Sequence, residues 1–291
     1  MTATNEGSLS IGALIAIGGA EDKTSDSEIM KRLFSYAPPD NAKVGVLTTA
    51  SGIPDEVYPQ YETVFEELGA TEVIHLNVRK REDARDSATI DAVRSCGTIF
   101  ITGGDQLRLT HVLGGSPLLE AIRKRRTEGA VVAGTSAGAA AMSATMIYNG
   151  AAADALKKGA VNMSAGLGFV EGIVIDSHFL ERGRFTRLME VGATNPEYTG
   201  VGIGEDAAVI LYPGSRGPIL EAIGPGHIIV VDSSDLRSSN VTDAHNGDPL
   251  ALEHVIMHAL TSGHGFDVGT RRFLQPDEVD RAKRDARIAD S

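Results

Sequence analysis

Tryptophan is absent from the 291 residues, and cysteine occurs once, at Cys96. One thiol cannot close an internal disulfide, so nothing covalent staples the chain, and a reducing, cytoplasmic setting is the expectation. Cys96, near Val93, is expected to pack in the core. Positive charge is also in deficit: 27 Lys and Arg stand against 39 Asp and Glu, a net charge of −12. Such a field repels phosphate, which argues against nucleic acid as the main partner and favours a basic ligand. No apolar run approaches the roughly 20 residues that cross a bilayer, so no membrane partner is expected. The opening MTATNEGSLS has neither the basic nor the apolar region of a secretory signal.

What is present points to a layered fold. An apolar share of 42% suffices for a large buried core, and 33 glycines with few aromatics suit many tight turns at element junctions. Short β-branched runs end repeatedly in glycine or small polar residues. Ala13 to Ile17 leads into Gly18-Gly19, Val44 to Leu47 into Thr48-Thr49, Thr98 to Ile101 into Thr102-Gly103-Gly104, and Ala130 to Ala133 into Gly134. Helical stretches lie between them at Glu28 to Tyr36, Pro59 to Leu68, Ser87 to Arg94 and Pro117 to Glu128. This rhythm predicts an α/β fold, doubly wound around a mainly parallel sheet, with active loops at the C-terminal ends of the strands.

The second half reads as mostly β, at Gly172 to Ile175, Gly200 to Ile203, Ala207 to Tyr212, Leu220 to Ile223 and His227 to Val231. Some of these strands should extend the sheet antiparallel. A helix from Pro249 to Leu260 is predicted to close the fold, followed by a charged tail after Pro276. The basic stretch Arg123 to Arg126 reads as a solvated helix face. No domain boundary stands out, so residues 1–291 are read as one domain with its core over 11–265.

The strongest chemical signal is VVAGTSAGAAAM, a strand, a Gly-x-Ser-x-Gly turn and the start of an Ala-rich helix. A turn of this kind strains the serine backbone and lifts Oγ above the sheet, with Gly134 and Gly138 giving room. Ser136 is then either a nucleophile or a plain helix cap. The Ala137 N–H at the helix start would face the oxyanion of an acyl-transfer intermediate. No Lys-Ser or Lys-Thr pair follows the glycines, so a phosphate loop does not fit.

A serine needs a base, and His178 is singled out because it follows an apolar strand in DSHFLERGRFTRL. A packed histidine is the competing reading. His254 and His258, one helical turn apart in the predicted helix, lack the carboxylate of a metalloprotease motif and read as core or surface residues. Arg182, Arg184 and Arg187 follow His178, and Asp176 precedes it. The arginines meet a ligand together only if the segment bends. In GVGIGEDAAVIL, Glu205 and Asp206 compete as the acid that would orient a histidine. In ITGGDQLRL, Gly103, Gly104 and Asp105 form a strand-end loop able to give a second oxyanion donor, with Gln106 placed for a substrate amide, or else form a simple turn.

Six segments, IAIGGAEDK, LTTASG, ITGGDQLRL, AGTSAGAAAM, DSHFLERGRFTRLM and GIGEDAAVIL, resemble in order those of the cyanophycinases. That branch of the serine peptidases also includes the aspartyl dipeptidases called peptidase E. The resemblance implies an α/β sandwich related to class I glutamine amidotransferases, with Ser136 as nucleophile, His178 as base and Glu205 as acid. It implies substrate contacts at Gln106, Asp176, Arg182, Arg184 and Arg187, with Ser177 standing where some members have glutamine. Gly104, Asp105 and Ala137 are the expected oxyanion donors. No metal or cofactor is implied, and a homodimer is common in the family.

The substrate implied is cyanophycin, a poly-aspartate backbone bearing arginine on each side-chain carboxyl, cleaved to β-Asp-Arg dipeptides. An acidic protein suits a guanidinium-rich polymer. Two other readings stand beside it: a dipeptidase acting on small Asp-X peptides, and a non-catalytic peptide-binding module.

Overall fold

The structure is a computed structural model, and it describes residues 11–24, 26–150 and 156–289. In the first half, strand and helix alternate: β1 (Leu14–Ile17), α1 (Glu28–Ser35), β2 (Lys43–Leu47), α2 (Pro54–Glu67), β3 (Glu72–Leu76), α3 (Ser87–Ser95), β4 (Thr98–Ile101), α4 (Gln106–Leu113), α5 (Pro117–Thr127), β5 (Val131–Thr135) and the short α6 (Ala137–Ala140). Strands dominate after that. β6 (Thr145–Asn149) pairs with β7 (Asn162–Ala165), and β8 (Ile173–Ser177), α7 (Phe185–Thr194), β9 (Thr199–Ile203), β10 (Ala208–Tyr212), β11 (Ile219–Ile223) and β12 (Ile228–Asp232) follow. The last elements are β13 (Ser238–Ser239), β14 (Leu252–Glu253), β15 (Ile256–Leu260), β16 (Gly265–Asp267), β17 (Arg272–Leu274) and α8 (Pro276–Ala289).

A nine-stranded sheet in the order β17-β16-β11-β10-β1-β5-β4-β2-β3 forms the centre. Strands β1 to β5 run parallel, and β10, β11, β16 and β17 continue the sheet antiparallel. Every residue of β1, β4 and β5 is buried, as expected for parallel strands covered on both faces. Side chains alternate between two cores: Leu14 and Ala16 enter one, Ile15 and Ile17 the other. The second core is closed by Ile29, Met30 and Leu33 of α1 and by Tyr61, Val64 and Phe65 of α2.

The first core is closed by α3, α4 and α5 and by a separate four-stranded sheet, β15-β12-β9-β8. Of the second-half strands, β10 and β11 extend the main sheet antiparallel as expected, whereas β8, β9 and β12 build this second sheet. Within it β8 and β9 are parallel, and helix α7 packs on its far side through Leu188 and Val191. The architecture is therefore mixed α/β around a large sheet, with a second sheet stacked against one face.

The predicted helix over Pro249 to Leu260 is instead β14 and β15. His254 has φ +73°, which a helix interior does not accept, and Ile256 to Leu260 pair with β12 from Asp232 back to Ile228. Burial alternates along Ile256 to Leu260, so the helix-forming Ala, Leu and Met content yielded to strand pairing. Helix α2 begins at Pro54, a first-turn position, rather than at Pro59, which it contains. Gln106, read as part of a loop, opens α4. The basic face of α5 is not simply solvated: Arg123 donates to Leu167 O, Arg125 to Cys96 O and Arg126 to Gly12 O. Cys96 is fully buried, and burial pushes its thiol up to about 11.

One side chain ties the two sheets together. Arg271, between β16 and β17, reaches the buried Asp232 carboxylate of β12 at 3.2 Å, and its second guanidinium nitrogen reaches Glu197 O at 2.6 Å. Truncating Arg271 to Ala strands a buried carboxylate, so urea unfolding should show a loss of about 3 kcal/mol.

At the edge of the main sheet, His75 of β3 stacks on Tyr58 at 4.2 Å and meets Thr48 Oγ1 at 2.9 Å. Burial holds its imidazole below the usual 6.5, helped by Arg79 and opposed by Asp55 and Glu62. The unfolded chain therefore binds this proton more readily, and stability present at neutral pH is lost as pH falls through about 6.5. Denaturation midpoints measured at stepped pH should fall along this limb less steeply in His75→Gln than in the parent.

Candidate active site

The turn after β5 has the strain that its sequence calls for. Ser136 sits at φ +52°, ψ −111°, a conformation costing about 1–3 kcal/mol for a non-glycine residue. Its tightness explains the flanking glycines: a Cβ on Gly138 would lie 2.4 Å from Ile101 O, and one on Gly134 would lie 2.7 Å from the Gly138 carbonyl carbon. The Ser136 side chain makes no capping bond to α6. Its Oγ lies 2.9 Å from His178 Nε2 instead.

His178 leaves the C-terminal end of β8, and Glu205 follows the end of its parallel neighbour β9. The His178 Nδ1 to Glu205 Oε1 distance is 2.6 Å. With Nδ1 protonated toward the carboxylate, Nε2 is left to accept the serine hydroxyl. The ring is 13% exposed and the Glu205 side chain 37%, so the contact is shielded on the histidine side and open to water at the acid. Asp206, the rival acid, turns away and accepts the Asp22 N–H at 3.2 Å. Phe179 anchors the chain just after the histidine. Its N–H donates to Ile203 O, and its fully buried ring lies where a Cβ on Gly202 would come within 2.3 Å.

Three successive carbonyls at the end of β1 hold these segments in register. Ile17 O accepts the N–H of Ser136 at 2.9 Å, Gly18 O that of His178 at 2.9 Å, and Gly19 O that of Asp206, next to Glu205, at 3.0 Å. The approach leaves no space for side chains. A Cβ on Gly18 would lie 1.9 Å from Gly204 O, and one on Gly19, at φ +103°, would lie 2.4 Å from both Cε1 and Nε2 of His178. Positive φ at Ala20, Ser136, His178 and Asp206 gathers strain around this single point.

The strand-end loop of β4 flanks the serine. A Cβ on Gly103 would stand 3.2 Å from Ser136 Cβ, so the loop's backbone comes right up to the turn. Ala137 opens α6, where an N–H has no carbonyl one turn back to bond. Asp105, expected among the oxyanion donors, is committed elsewhere. Its N–H donates to Ala50 O at 2.9 Å, and its carboxylate caps α4 through the Leu107 and Arg108 N–H groups. Gln106, expected on a substrate amide, points its Nε2 at Ile147 O and Tyr148 O, at 3.1 and 3.4 Å, and so anchors α4 to β6.

The arginine string does bend, through turns over 178–184 that lead into α7. Its members do not share one target. Asp176, 2% exposed, receives Arg184 Nη1 at 2.9 Å and Arg187 Nε at 3.0 Å. The Arg187 contact is ionic rather than a well-aligned hydrogen bond. Burial pushes the Asp176 carboxyl up, and the two guanidiniums pull it back down. Arg184 also donates to Ser177 O, and the buried Arg187 donates to Gly150 O. Ser177 is itself buried. Arg182 is the exposed member of the three.

Comparison with known proteins shows the family of the chain. The model of Peptidase family S51 matches residues 14–215. The cyanophycinase of Geminocystis herdmanii is 37% identical over 265 residues, covering 91% of this chain and 95% of that protein. This chain belongs to peptidase family S51. The cyanophycinase of Trichormus variabilis is 35% identical over 263 residues, covering 90% of this chain and 87% of its own length. A solved peptidase from an acI-B1 Actinobacterium superposes with a TM-score of 0.63 at 20% identity, over 88% of this chain and 97% of that one, which shows a shared fold.

Within this S51 peptidase, sequence reasoning named the serine, histidine and glutamate but missed what aligns them. The signal lay in IAIGG, where two adjacent glycines follow a fully apolar strand. Gly19→Ala forces the imidazole aside while leaving the cores intact. Its turnover should fall roughly 100-fold, the usual cost of about 1 Å of misplacement, with a circular dichroism spectrum like that of the parent.

Proposed function

We propose that this peptidase is a serine-type enzyme that cleaves cyanophycin to β-Asp-Arg dipeptides. The observation that supports the reading is the unbroken relay from Ser136 Oγ through His178 to Glu205, at 2.9 and 2.6 Å, in a chain whose relatives carry the name cyanophycinase. Ser136 Oγ attacks the aspartyl carbonyl while His178 Nε2 takes its proton. Glu205 keeps Nδ1 protonated and stabilises the imidazolium that forms. The tetrahedral intermediate collapses as His178 delivers the proton to the leaving amine, giving an acyl-enzyme and the first product. Water then attacks the ester with the same histidine as base, and the second product leaves as Ser136 recovers its proton.

The developing oxyanion is assigned to the Ala137 N–H and to the N–H of Gly103 or Gly104, in place of Asp105. One such donor typically supplies roughly 3 kcal/mol of transition-state stabilisation. Arg182, exposed beyond the histidine, suits a free substrate carboxylate, and Arg184 is pre-aimed beside it by Asp176. The net charge of −12 attracts the guanidinium-bearing polymer over longer range. The same reading takes the chain as one hydrolase domain, related to the class I glutamine amidotransferases, that works as a cytoplasmic homodimer.

Ser136→Ala should lower cyanophycin turnover about 10⁶-fold and Glu205→Gln on the order of 10⁴-fold, with both proteins still folded. Release of β-Asp-Arg from the polymer, measured beside hydrolysis of α-Asp dipeptides, checks the substrate. Faster cleavage of the dipeptides, or wild-type turnover by Ser136→Ala, would overturn the assignment.

A further inference from the structure

Near the relay lies a buried carboxylate that the mechanism above leaves unused. Glu21, 3% exposed, stands two residues beyond Gly19 on the loop after β1. Both of its oxygens are taken by hydroxyls: Thr135 Oγ1 donates to Oε2 at 2.6 Å and Tyr61 OH to Oε1 at 2.5 Å. These are the short distances of hydroxyls bonded to a carboxylate. Thr135 is the last residue of β5 and the one before Ser136.

The three partners belong to three elements that meet behind the turn. Glu21 comes from the loop that follows β1 and whose Gly18 and Gly19 carbonyls hold His178 and Asp206, just after the Ile17 carbonyl that holds Ser136. Thr135 belongs to the strand that presents the serine. Tyr61 comes from α2, and its ring lies 4.6 Å from Phe100 on β4, the strand next to β5. Burial, reinforced by Glu21, keeps the Tyr61 phenol protonated well above the usual range for tyrosine, so it is a permanent donor to the carboxylate. Ser136 itself cannot relax into a comfortable backbone conformation, and a strained residue persists only when its neighbours over-determine it. The Ile17 carbonyl fixes its N–H from one side. The Thr135 hydroxyl fixes the preceding residue by its side chain.

We propose that Glu21 is a positioning residue for the nucleophile: acting through the Thr135 hydroxyl, it locks the end of β5 so that Ser136 Oγ stays in line with His178 Nε2. Glu21 touches neither substrate nor the reacting atoms, and its effect is on alignment rather than on binding. This inference rests on the reading of Ser136 as the nucleophile.

The test compares Thr135→Val, which keeps the shape and removes the hydroxyl, with Thr135→Ser, which keeps the hydroxyl. In the full chain, Thr135→Val should lose about 10- to 100-fold in kcat on cyanophycin with KM unchanged. Labelling of Ser136 by a fluorophosphonate should slow by a similar factor. Thr135→Ser should restore both rates to within about threefold of the parent. Glu21→Gln should lower kcat in the same direction, and the double variant with Thr135→Val should lose little more than the worse single variant, because the two act as one unit. A purely structural role would lower the melting temperature of Thr135→Val and leave kcat per folded molecule at the parent value. That outcome overturns the inference, as does an equal loss in Thr135→Val and Thr135→Ser. Should Ser136→Ala keep its activity, or Ser136 of the parent resist labelling, the reading beneath it fails instead.

Discussion

The geometry of this enzyme hangs on a run of three backbone carbonyls. Ile17, Gly18 and Gly19 present successive acceptors at the end of β1, and each takes the N–H of a different segment: the serine turn, the residue His178 and the turn after Glu205. Backbone acceptors suit this task because peptide geometry fixes their spacing and no rotamer freedom blurs it. The cost is local. Two glycines are needed where three segments crowd, and several residues around them hold positive φ.

That convergence explains why two sheets are required. The serine comes from the central parallel sheet, whereas the histidine and glutamate come from adjacent parallel strands of the smaller sheet. All the strands involved, β1, β5, β8 and β9, point their C-terminal ends at one spot, where loops of an open α/β sheet place ligands. Stacking the second sheet on one face of the first brings those ends together, and Arg271 with Asp232 braces the arrangement from a distance. The rigid parts are the buried strands, and Ser136, His178 and Glu205 sit on short turns whose ends those strands hold.

Charge is used on two scales. The whole chain is acidic, yet close to the histidine it carries a compact cluster in which one buried carboxylate, Asp176, gathers Arg184 and Arg187. Two guanidiniums on one carboxylate leave a local excess of one positive charge. Asp176 therefore orients the arginines, and Arg187 serves chiefly to brace the backbone at Gly150. Arg182 remains exposed, on the solvent side of the cluster.

Much of the fold was legible because parallel strands buried on both faces read as unbroken apolar runs, and their ends are marked by glycine. The strands leading to Gly18, Thr102 and Gly134 were found in this way, and the serine turn with them. Segments whose state depends on partners were not. Ile256 to Leu260 carry helix-forming residues but pair with β12, and β8, β9 and β12 form their own sheet because pairing partners are not written in local pattern.

The sequence by itself determined residue types, their order along the chain and the small neighbours around Ser136, since these follow from covalent order and steric need. Only the tertiary structure decided that Asp105 and Gln106 are spent on holding loops and that Asp176 collects two arginines. Local pattern left Glu205 and Asp206 as rivals, the resemblance favoured Glu205, and the fold seats Glu205 against His178. Those outcomes depend on where side chains point in the folded chain, whether the partner lies 8 residues away, as Asp176 does from Arg184, or 41, as Ile147 does from Gln106, and local pattern does not state that direction.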